Sequence, residues 1–129
     1  GARHGVEVAG EAVTVKGDAR LLARLVRNLM QNALRHGAPP VSAEIRRLGD
    51  GAVELAVRDH GPGVAQAERE RVFEPFYRPS GRGEEAGGWG LGLALVRQIS
   101  GRHGARVRQE TPAGGGARFV VTFPGGGTA

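Results

Sequence analysis

Apolar side chains recur at helical spacing in two long stretches of the chain. The first predicts an amphipathic helix over residues 19–36, because its apolar positions return every three or four residues: Leu22, Leu25, Val26, Leu29, Met30, Ala33 and Leu34. Asp18 is a suitable N-cap, and Gly37 with Pro39-Pro40 is a suitable stop. The second stretch predicts a helix that ends near residue 103, with apolar positions at Leu91, Leu95, Val96 and Ile99.

Alternation of apolar and polar residues predicts strands in most of the remaining chain. Six such runs are present, at residues 6–9, 12–16, 41–48, 52–57, 105–110 and 117–123. We expect the first two to form a hairpin or strand pair, and the next two to be neighbours across a tight Asp-Gly turn. Polar residues 65–71 predict a short helix, and residues 80–88, rich in Gly and charge, predict a mobile loop.

The order of these elements is strands, helix, two strands, loop, helix, two strands. It favours an α+β fold, a two-layer α/β sandwich with the helices on one face of a mixed, mostly antiparallel sheet. A doubly wound parallel sheet would need stricter alternation of strands and helices. The length of 129 residues fits a single domain over residues 1–129, with a frayed tail at residues 124–129.

Composition and charge exclude several classes of site. The chain has no Cys, which excludes a disulfide framework, a thiolate zinc site, an iron–sulfur cluster and a cysteine nucleophile. No apolar run approaches the roughly 18 residues of a membrane span, so we expect a soluble piece without membrane contact or signal peptide. The net charge is +5, but the basic residues form no dense run. We therefore expect no nucleic-acid partner, whereas a phosphate-bearing ligand would suit the charge.

Four polar residues of the first predicted helix fall on one face. Asn28, Asn32, Arg35 and His36 stand at positions i, i+4, i+7 and i+8, beside the apolar stripe. An amide oxygen suits Mg²⁺, which takes its other oxygens from water and substrate phosphates. The stripe could therefore hold a metal–triphosphate unit. The alternative is an ordinary exposed helix face.

A carboxylate and three tight-turn residues follow the fourth predicted strand, in the segment Asp59-His60-Gly61-Pro62-Gly63. A buried carboxylate could select the exocyclic amine of adenine, because an unpaired buried acceptor costs about 1–3 kcal/mol. The alternative interpretation is simply a turn, in which His60 is a tolerated turn residue.

Glycines stand at the start of the second predicted helix, in the segment Gly87-Gly88-Trp89-Gly90-Leu91-Gly92-Leu93. Leu93 occupies the last position of the dinucleotide fingerprint, where Gly or Ala is required, and no strand directly precedes the segment, so a Rossmann site is not expected. A P-loop is excluded because the chain has no Gly-Lys-Ser/Thr sequence. Free N–H groups at a helix N-terminus still suit a phosphate.

Taken together, four segments resemble the N, G1, F and G2 boxes of the catalytic, ATP-binding domain of sensor histidine kinases, in the GHKL superfamily. They are residues 28–33, 59–63, 73–76 and 88–93, in this order and at these separations. The match extends from about Val13 to Phe123. It implies the Bergerat ATP-binding fold, with ATP and Mg²⁺ held between the two long helices under a flexible lid.

The resemblance also implies a role for each matching residue. Asn32 would bind Mg²⁺, Asn28 would face the phosphates, and Arg35 with His36 would contact phosphate and ribose. Asp59 would accept the adenine amine, and Gly61 and Gly63 would make room for the base. The remaining positions are those of the F box, the lid and the G2 box. Phe73 and Phe76 would form the clamp that anchors the lid, and Arg78 would approach the terminal phosphate. Gly88, Gly90 and Gly92 would cradle the phosphates, while Leu91 and Leu93 would pack beside them. Phe76 and Leu91 are counted with the nucleotide-binding residues.

The residue at position 28 favours phosphoryl transfer over hydrolysis. GHKL ATPases that hydrolyse ATP resemble one another in carrying a Glu one turn before the metal-binding Asn. Asn28 cannot accept a proton, so general-base catalysis, typically worth about 10²–10⁴-fold, is missing. In this interpretation Asn28, Asn32 and Arg78 serve catalysis.

The resemblance implies that the phosphoryl group passes to a His on a separate dimerisation and phosphoacceptor domain, and from there to a response-regulator Asp. We expect that domain to be absent here, because none of His4, His36, His60 and His103 is followed by an acidic residue. The resemblance also implies a cytoplasmic domain of a membrane-anchored bacterial sensor. Two alternatives stay open, a GHKL serine kinase of the anti-sigma type and a nucleotide-binding module without catalysis.

Overall fold

A five-stranded sheet with two long helices makes up the described part of the chain. The computed structural model describes residues 6–10, 17–75 and 92–124, with the backbone alone for 6–10. In chain order the elements are β1 (Val6–Gly10), α1 (Ala19–His36), β2 (Val41–Arg47), β3 (Val53–Asp59), α2 (Gly92–Arg102), β4 (Arg106–Glu110) and β5 (Ala117–Phe123). The predicted α/β sandwich is confirmed.

The sheet is mixed and mostly antiparallel, as predicted. Its strand order is β1-β2-β3-β5-β4, with β1 and β2 parallel and every other neighbouring pair antiparallel. β1 pairs with β2, which the sequence did not predict, and its predicted pairing with residues 12–16 stays a prediction. Because parallel neighbours need a crossover connection, the chain passes through α1 before it returns to β2. Residues 12–16, the predicted partner run, lie outside the described residues.

The first helix begins and ends where its sequence predicts. The Asp18 carboxylate caps it, since Oδ1 accepts hydrogen bonds from the backbone N–H groups of Arg20 and Leu21 at 2.9 and 3.1 Å. Gly37 follows the last turn with φ of −99°, a value open to any residue. The need for glycine at position 37 therefore does not come from a left-handed helix cap.

Two local predictions differ from the structure. Residues 65–71 do not form a helix; two 3₁₀ turns, Gln66–Glu68 and Arg71–Phe73, are present instead. Neither turn has a side-chain N-cap, and a short segment without an apolar stripe gains too little from packing to extend a helix. Strand β3 continues two residues past its predicted end, because β5 pairs with it as far as Asp59 and Ala117.

One apolar core lies between the helices and the sheet. Its buried members include Leu25, Leu29 and Ala33 of α1, Leu93, Val96 and Ile99 of α2, and Val41, Leu55, Val57, Phe119 and Val121 of the sheet. Phe73, on the second 3₁₀ turn, packs edge-on against Phe119 with ring centroids 6.0 Å apart. Burial of each such side chain stabilises the fold by about 1.5–3 kcal/mol. No helix among the described residues is both long and apolar enough to cross a membrane.

Ion pairs join the strands on the opposite face of the sheet. The buried Glu54 carboxylate lies 3.0 Å from Arg46, 3.5 Å from Arg118 and 3.6 Å from Arg108. Arg108 and Arg118 also pair with Glu110 at 2.6 and 2.7 Å. The hydrogen bond from Arg108 is the main cause that lowers the pKa of the Glu110 carboxyl below its ordinary value.

The imidazole of His103 connects the start of α1 to the end of α2. Its Nε2 accepts a hydrogen bond from the backbone N–H of Asp18 at 3.0 Å, and its Nδ1 lies 2.8 Å from the Ile99 carbonyl oxygen. A carbonyl can only accept, so Nδ1 carries the proton. Gly17 lies directly against the ring, where a Cβ would collide with it. Both helices are thereby fixed at this end.

Replacement of His103 should weaken the fold through the loss of this connection. His103→Ala leaves the Asp18 N–H without its partner, so we expect the free energy of unfolding to fall by about 1 kcal/mol or more. Urea denaturation measures the change. Arg102→Ala, at the neighbouring exposed position, is the control, and an equal loss in both variants would contradict the role of His103.

Candidate functional site

The polar stripe of α1 lines a cavity that reaches the start of α2. Asn28, Asn32, Arg35 and His36 border it together with Gly92, the first residue of α2, and its volume is about 190 Å³. His36 is buried, the two asparagines are half-buried and Arg35 is exposed. The structure therefore brings the helix-face residues together with Gly92, from the glycine-rich segment at the start of the second helix. Gln31 also lines this cavity, and the sequence pattern did not single it out.

A second, smaller cavity adjoins the first. Asn32 and His36 line both cavities. The rest of the smaller cavity consists of residues from the ends of α1, β3 and β5 and from the turn after β3: Gly37, Asp59, Gly63, Val64, Ala117 and Phe119. The Asp59 carboxylate and the amide stripe thus belong to neighbouring parts of one site.

Asp59 is the last residue of β3 and is 3% exposed. The backbone N–H of Gly61 donates a hydrogen bond to its Oδ1 at 2.8 Å, within the turn that follows the strand. A buried carboxylate is tolerated only where polar groups replace its water. The aspartate is therefore held at the base of the smaller cavity by the turn that its own sequence motif encodes.

Backbone from two other segments closes around Asp59. Gly37 lies against the carboxyl group and Gly116 against the backbone carbonyl, and at either position a Cβ would collide with Asp59. Gly116 has φ of +83°, and Gly63, with φ of +79°, packs against the Gly116 carbonyl. The sequence interpretation assigned Gly37 to the helix end and Gly116 to a hairpin loop. The Gly triplet at 114–116 was the signal available for this contact.

The remaining predicted site residues divide into two groups. Phe73 is buried in the core against Phe119, and its role as an anchor of the lid stays a prediction. Phe76, Arg78, Gly88, Gly90 and Leu91 lie outside the described residues, as does the predicted loop at 80–88. The described site therefore consists of the helix stripe, the Asp59 turn and the start of α2.

The donors in the larger cavity fit a cation that arrives with its own oxygen ligands. The amide oxygens of Asn28 and Asn32 are neutral, hard ligands of the kind that Mg²⁺ accepts, and Arg35 supplies positive charge for an anion. In the part of the chain that the structure describes, no three His, Cys, Asp or Glu side chains gather as a metal cluster.

Comparison with known proteins agrees with this geometry. The family of histidine kinase-, DNA gyrase B-, and HSP90-like ATPases matches residues 17–126. The chain belongs to this family. The resemblance to the ATP-binding domains of sensor histidine kinases, inferred from the four motifs, is thereby confirmed.

Solved structures and a curated relative place the chain among the sensor histidine kinases of this ATPase family. The mycobacterial sensor histidine kinase MprB superposes with a TM-score of 0.80 and 34% identity, over 92% of this chain and 82% of that one. Full-length ShkA in complex with AMPPNP superposes with a TM-score of 0.75 and 32% identity, over 93% of this chain and 26% of that one. The sensor protein RstB of Escherichia coli K12 is 44% identical over 109 residues, which are 83% of this chain. The chain spans 25% of the length of RstB.

The close contact between Gly116 and Asp59 predicts an unequal response of two adjacent glycines. Gly115 and Gly116 both have positive φ, but a Cβ at Gly115 would meet nothing within 4 Å. We expect Gly115→Ala to cost about 1–2 kcal/mol, from its backbone conformation alone. Gly116→Ala should cost about 2 kcal/mol more, because its methyl group would overlap the Asp59 carbonyl. Urea unfolding of both variants measures the difference, and equal losses would contradict the contact.

Proposed function

We propose that this chain binds ATP with Mg²⁺ as the catalytic domain of a sensor histidine kinase, and that residues 1–129 form that one domain. The observation that carries the proposal is the pair of adjoining cavities that share Asn32 and His36, one bordered by Asp59 and the other by the amide stripe. The AMPPNP in the similar ShkA structure supports an adenine nucleotide as the ligand.

In this proposal Asp59, at the smaller cavity, reads the adenine amine; the cavity itself, about 10 Å³, does not hold the purine ring. Asp59 is the buried acceptor for the exocyclic amine. Gly61 and Gly63 shape the turn beside it, where a Cβ would meet the backbone of Gly37 and Gly116 respectively. A base that presents an acceptor instead of the amine would leave two acceptors facing each other. That mismatch gives Asp59 its selectivity.

The triphosphate belongs to the larger cavity. Asn32 holds Mg²⁺, which supplies positive charge that offsets the phosphate oxygens. Asn28 faces the phosphates, and Arg35 and His36 contact phosphate and ribose. The backbone of Gly92 is at the start of α2, where free N–H groups favour an anion. We assign Gly88, Gly90 and Leu91 to the same phosphate cradle, Phe76 to the lid, and Arg78 to the terminal phosphate.

Phosphoryl transfer, rather than hydrolysis, is the reaction we propose. Asn28 stands where a general base would have to accept a proton from water, and an amide cannot do so. The bound nucleotide is therefore retained until an acceptor arrives. We propose that the acceptor is a His on a dimerisation and phosphoacceptor domain, and that a response-regulator Asp then receives the phosphoryl group from this His. We also propose that the reaction is cytoplasmic. The similarity to MprB, which is named a sensor histidine kinase, favours His over Ser as the acceptor.

The role of Asp59 can be tested with a matched pair of substitutions. Asp59→Asn should weaken binding of a non-hydrolysable ATP analogue by roughly 5- to 150-fold, which corresponds to about 1–3 kcal/mol. Asp50→Asn is the control, because the Asp50 Oδ1 also accepts from the backbone N–H two residues later, Ala52, at 2.9 Å. Calorimetry measures affinity, and thermal unfolding measures stability. If Asp59→Asn lowers the melting temperature but leaves affinity unchanged, Asp59 is structural.

The role of Asn32 is tested through the metal dependence of binding. In the unsubstituted chain we expect the ATP analogue to bind more tightly with Mg²⁺ than without it. Asn32→Ala should remove this difference, since the amide oxygen is lost, whereas Asn32→Asp should retain it because a carboxylate oxygen also binds Mg²⁺. Calorimetry with Mg²⁺ and with a chelator gives both values. A Mg²⁺ effect that survives in Asn32→Ala would exclude Asn32 as the ligand.

A further inference from the structure

Two segments meet backbone to backbone behind the smaller cavity. One is the connection between α1 and β2, residues 37–40, and the other is the turn after β3, residues 59–61. A Cβ on Gly61 would lie 2.7 Å from the Gly37 Cα, so the backbones of the two segments are in contact at this point. The turn that carries Asp59 is therefore positioned by the end of the helix that carries the amide stripe.

Two hydrogen bonds between these segments come from His60. Its backbone N–H donates to the Ala38 carbonyl oxygen at 2.8 Å. Its Nδ1 lies 2.8 Å from the Pro40 carbonyl oxygen, and since a carbonyl only accepts, Nδ1 donates. The imidazole is exposed, so its hydrogen bond to Pro40 forms at the surface and is not imposed by packing around the ring. His60 is thus more than a tolerated turn residue.

The position of the Asp59 carboxylate depends on the same contact. Its Oδ1 accepts from the Gly61 N–H at 2.8 Å, and its carboxyl group lies against Gly37. The Gly61 N–H belongs to the turn after β3, and Gly37 belongs to the connection between α1 and β2. A shift of the turn relative to the connection would therefore move the carboxylate relative to α1.

We propose that His60 is a positioning residue that sets the selectivity of the site for adenine, through the placement of Asp59. The inference rests on the proposed function, in which Asp59 accepts the exocyclic amine. A hydrogen bond weakens steeply with distance and misalignment, so a displaced carboxylate distinguishes an amine from an oxo group less well. The phosphate-facing residues lie on α1 itself, whereas the bonds of His60 go to the carbonyl groups of Ala38 and Pro40, after the helix. Loss of the His60 side chain should therefore affect base selectivity and spare triphosphate binding.

Competition binding of two nucleotides tests the inference. ATP and inosine triphosphate differ at C6, where the first has an amine and the second an oxo group. Each displaces a fluorescent ATP analogue from the unsubstituted chain, His60→Ala and His60→Asn, in the presence of Mg²⁺. We expect His60→Ala to lower the ATP-over-inosine-triphosphate affinity ratio at least threefold, by weakening ATP alone. His60→Asn should preserve the ratio, because the Asn Nδ2 can donate from the place of Nδ1.

The possible outcomes separate this inference from the proposed function. If the unsubstituted chain prefers ATP and His60→Ala keeps that ratio, His60 does not set selectivity, whatever its effect on stability. The inference is also overturned if His60→Ala weakens both nucleotides equally, or if His60→Asn behaves as His60→Ala does. If the unsubstituted chain binds both nucleotides equally, the role proposed for Asp59 fails, and the inference fails with it.

Discussion

Burial of the apolar stripe of α1 against the sheet is the constraint on which the rest of this structure depends. A helix turns by about 100° per residue, so once Leu25 and Leu29 face the core, Asn28 and Asn32 must flank it. The same packing carries the last turn of α1 to the end of β3, where Asp59 lies. A non-directional apolar interaction thus determines where the polar groups of the proposed nucleotide site point.

Close approach of backbone segments completes what helix packing begins. Gly37, Gly61 and Gly116 come from three different connections. At each of them, atoms of another segment occupy the place that a Cβ would take. Their convergence surrounds Asp59 with main chain, and main-chain atoms have fewer alternative positions than side chains. A buried carboxylate in such a setting is held in one place and retains a hydrogen-bond donor, the Gly61 N–H. Pre-organisation of this kind is what selective recognition of a small polar group requires.

Hydrogen bonds fix both ends of α1, where apolar burial alone would allow sliding. At the N-terminal end, His103 connects Asp18 to the last turn of α2. At the C-terminal end, His60 connects the chain after α1 to the turn after β3. Since hydrogen bonds are directional and apolar contacts are not, the bonds of His103 orient α1 relative to α2, and those of His60 orient the chain after α1 relative to the turn after β3. The cavity along the polar face of α1 keeps its shape for the same reason.

Much of the fold could be predicted from the sequence because its determinants are local. The period of the apolar residues and the Asp18 cap gave both ends of α1, and alternation located β2, β4 and β5 to within a residue. The helix expected at 65–71 failed because that segment has no apolar stripe to bury. The four motifs predicted the family, and the family comparison confirmed it.

By itself, the sequence determined which residues share a helix face, which turns need glycine or aspartate, and which family the chain belongs to. Only the tertiary structure decided that β1 pairs with β2 in parallel, that Gly116 touches Asp59, and that His60 bonds to Pro40. The physical reason is that these contacts join segments distant in the chain. Their distances follow from how whole elements pack, and no local pattern of residues encodes that.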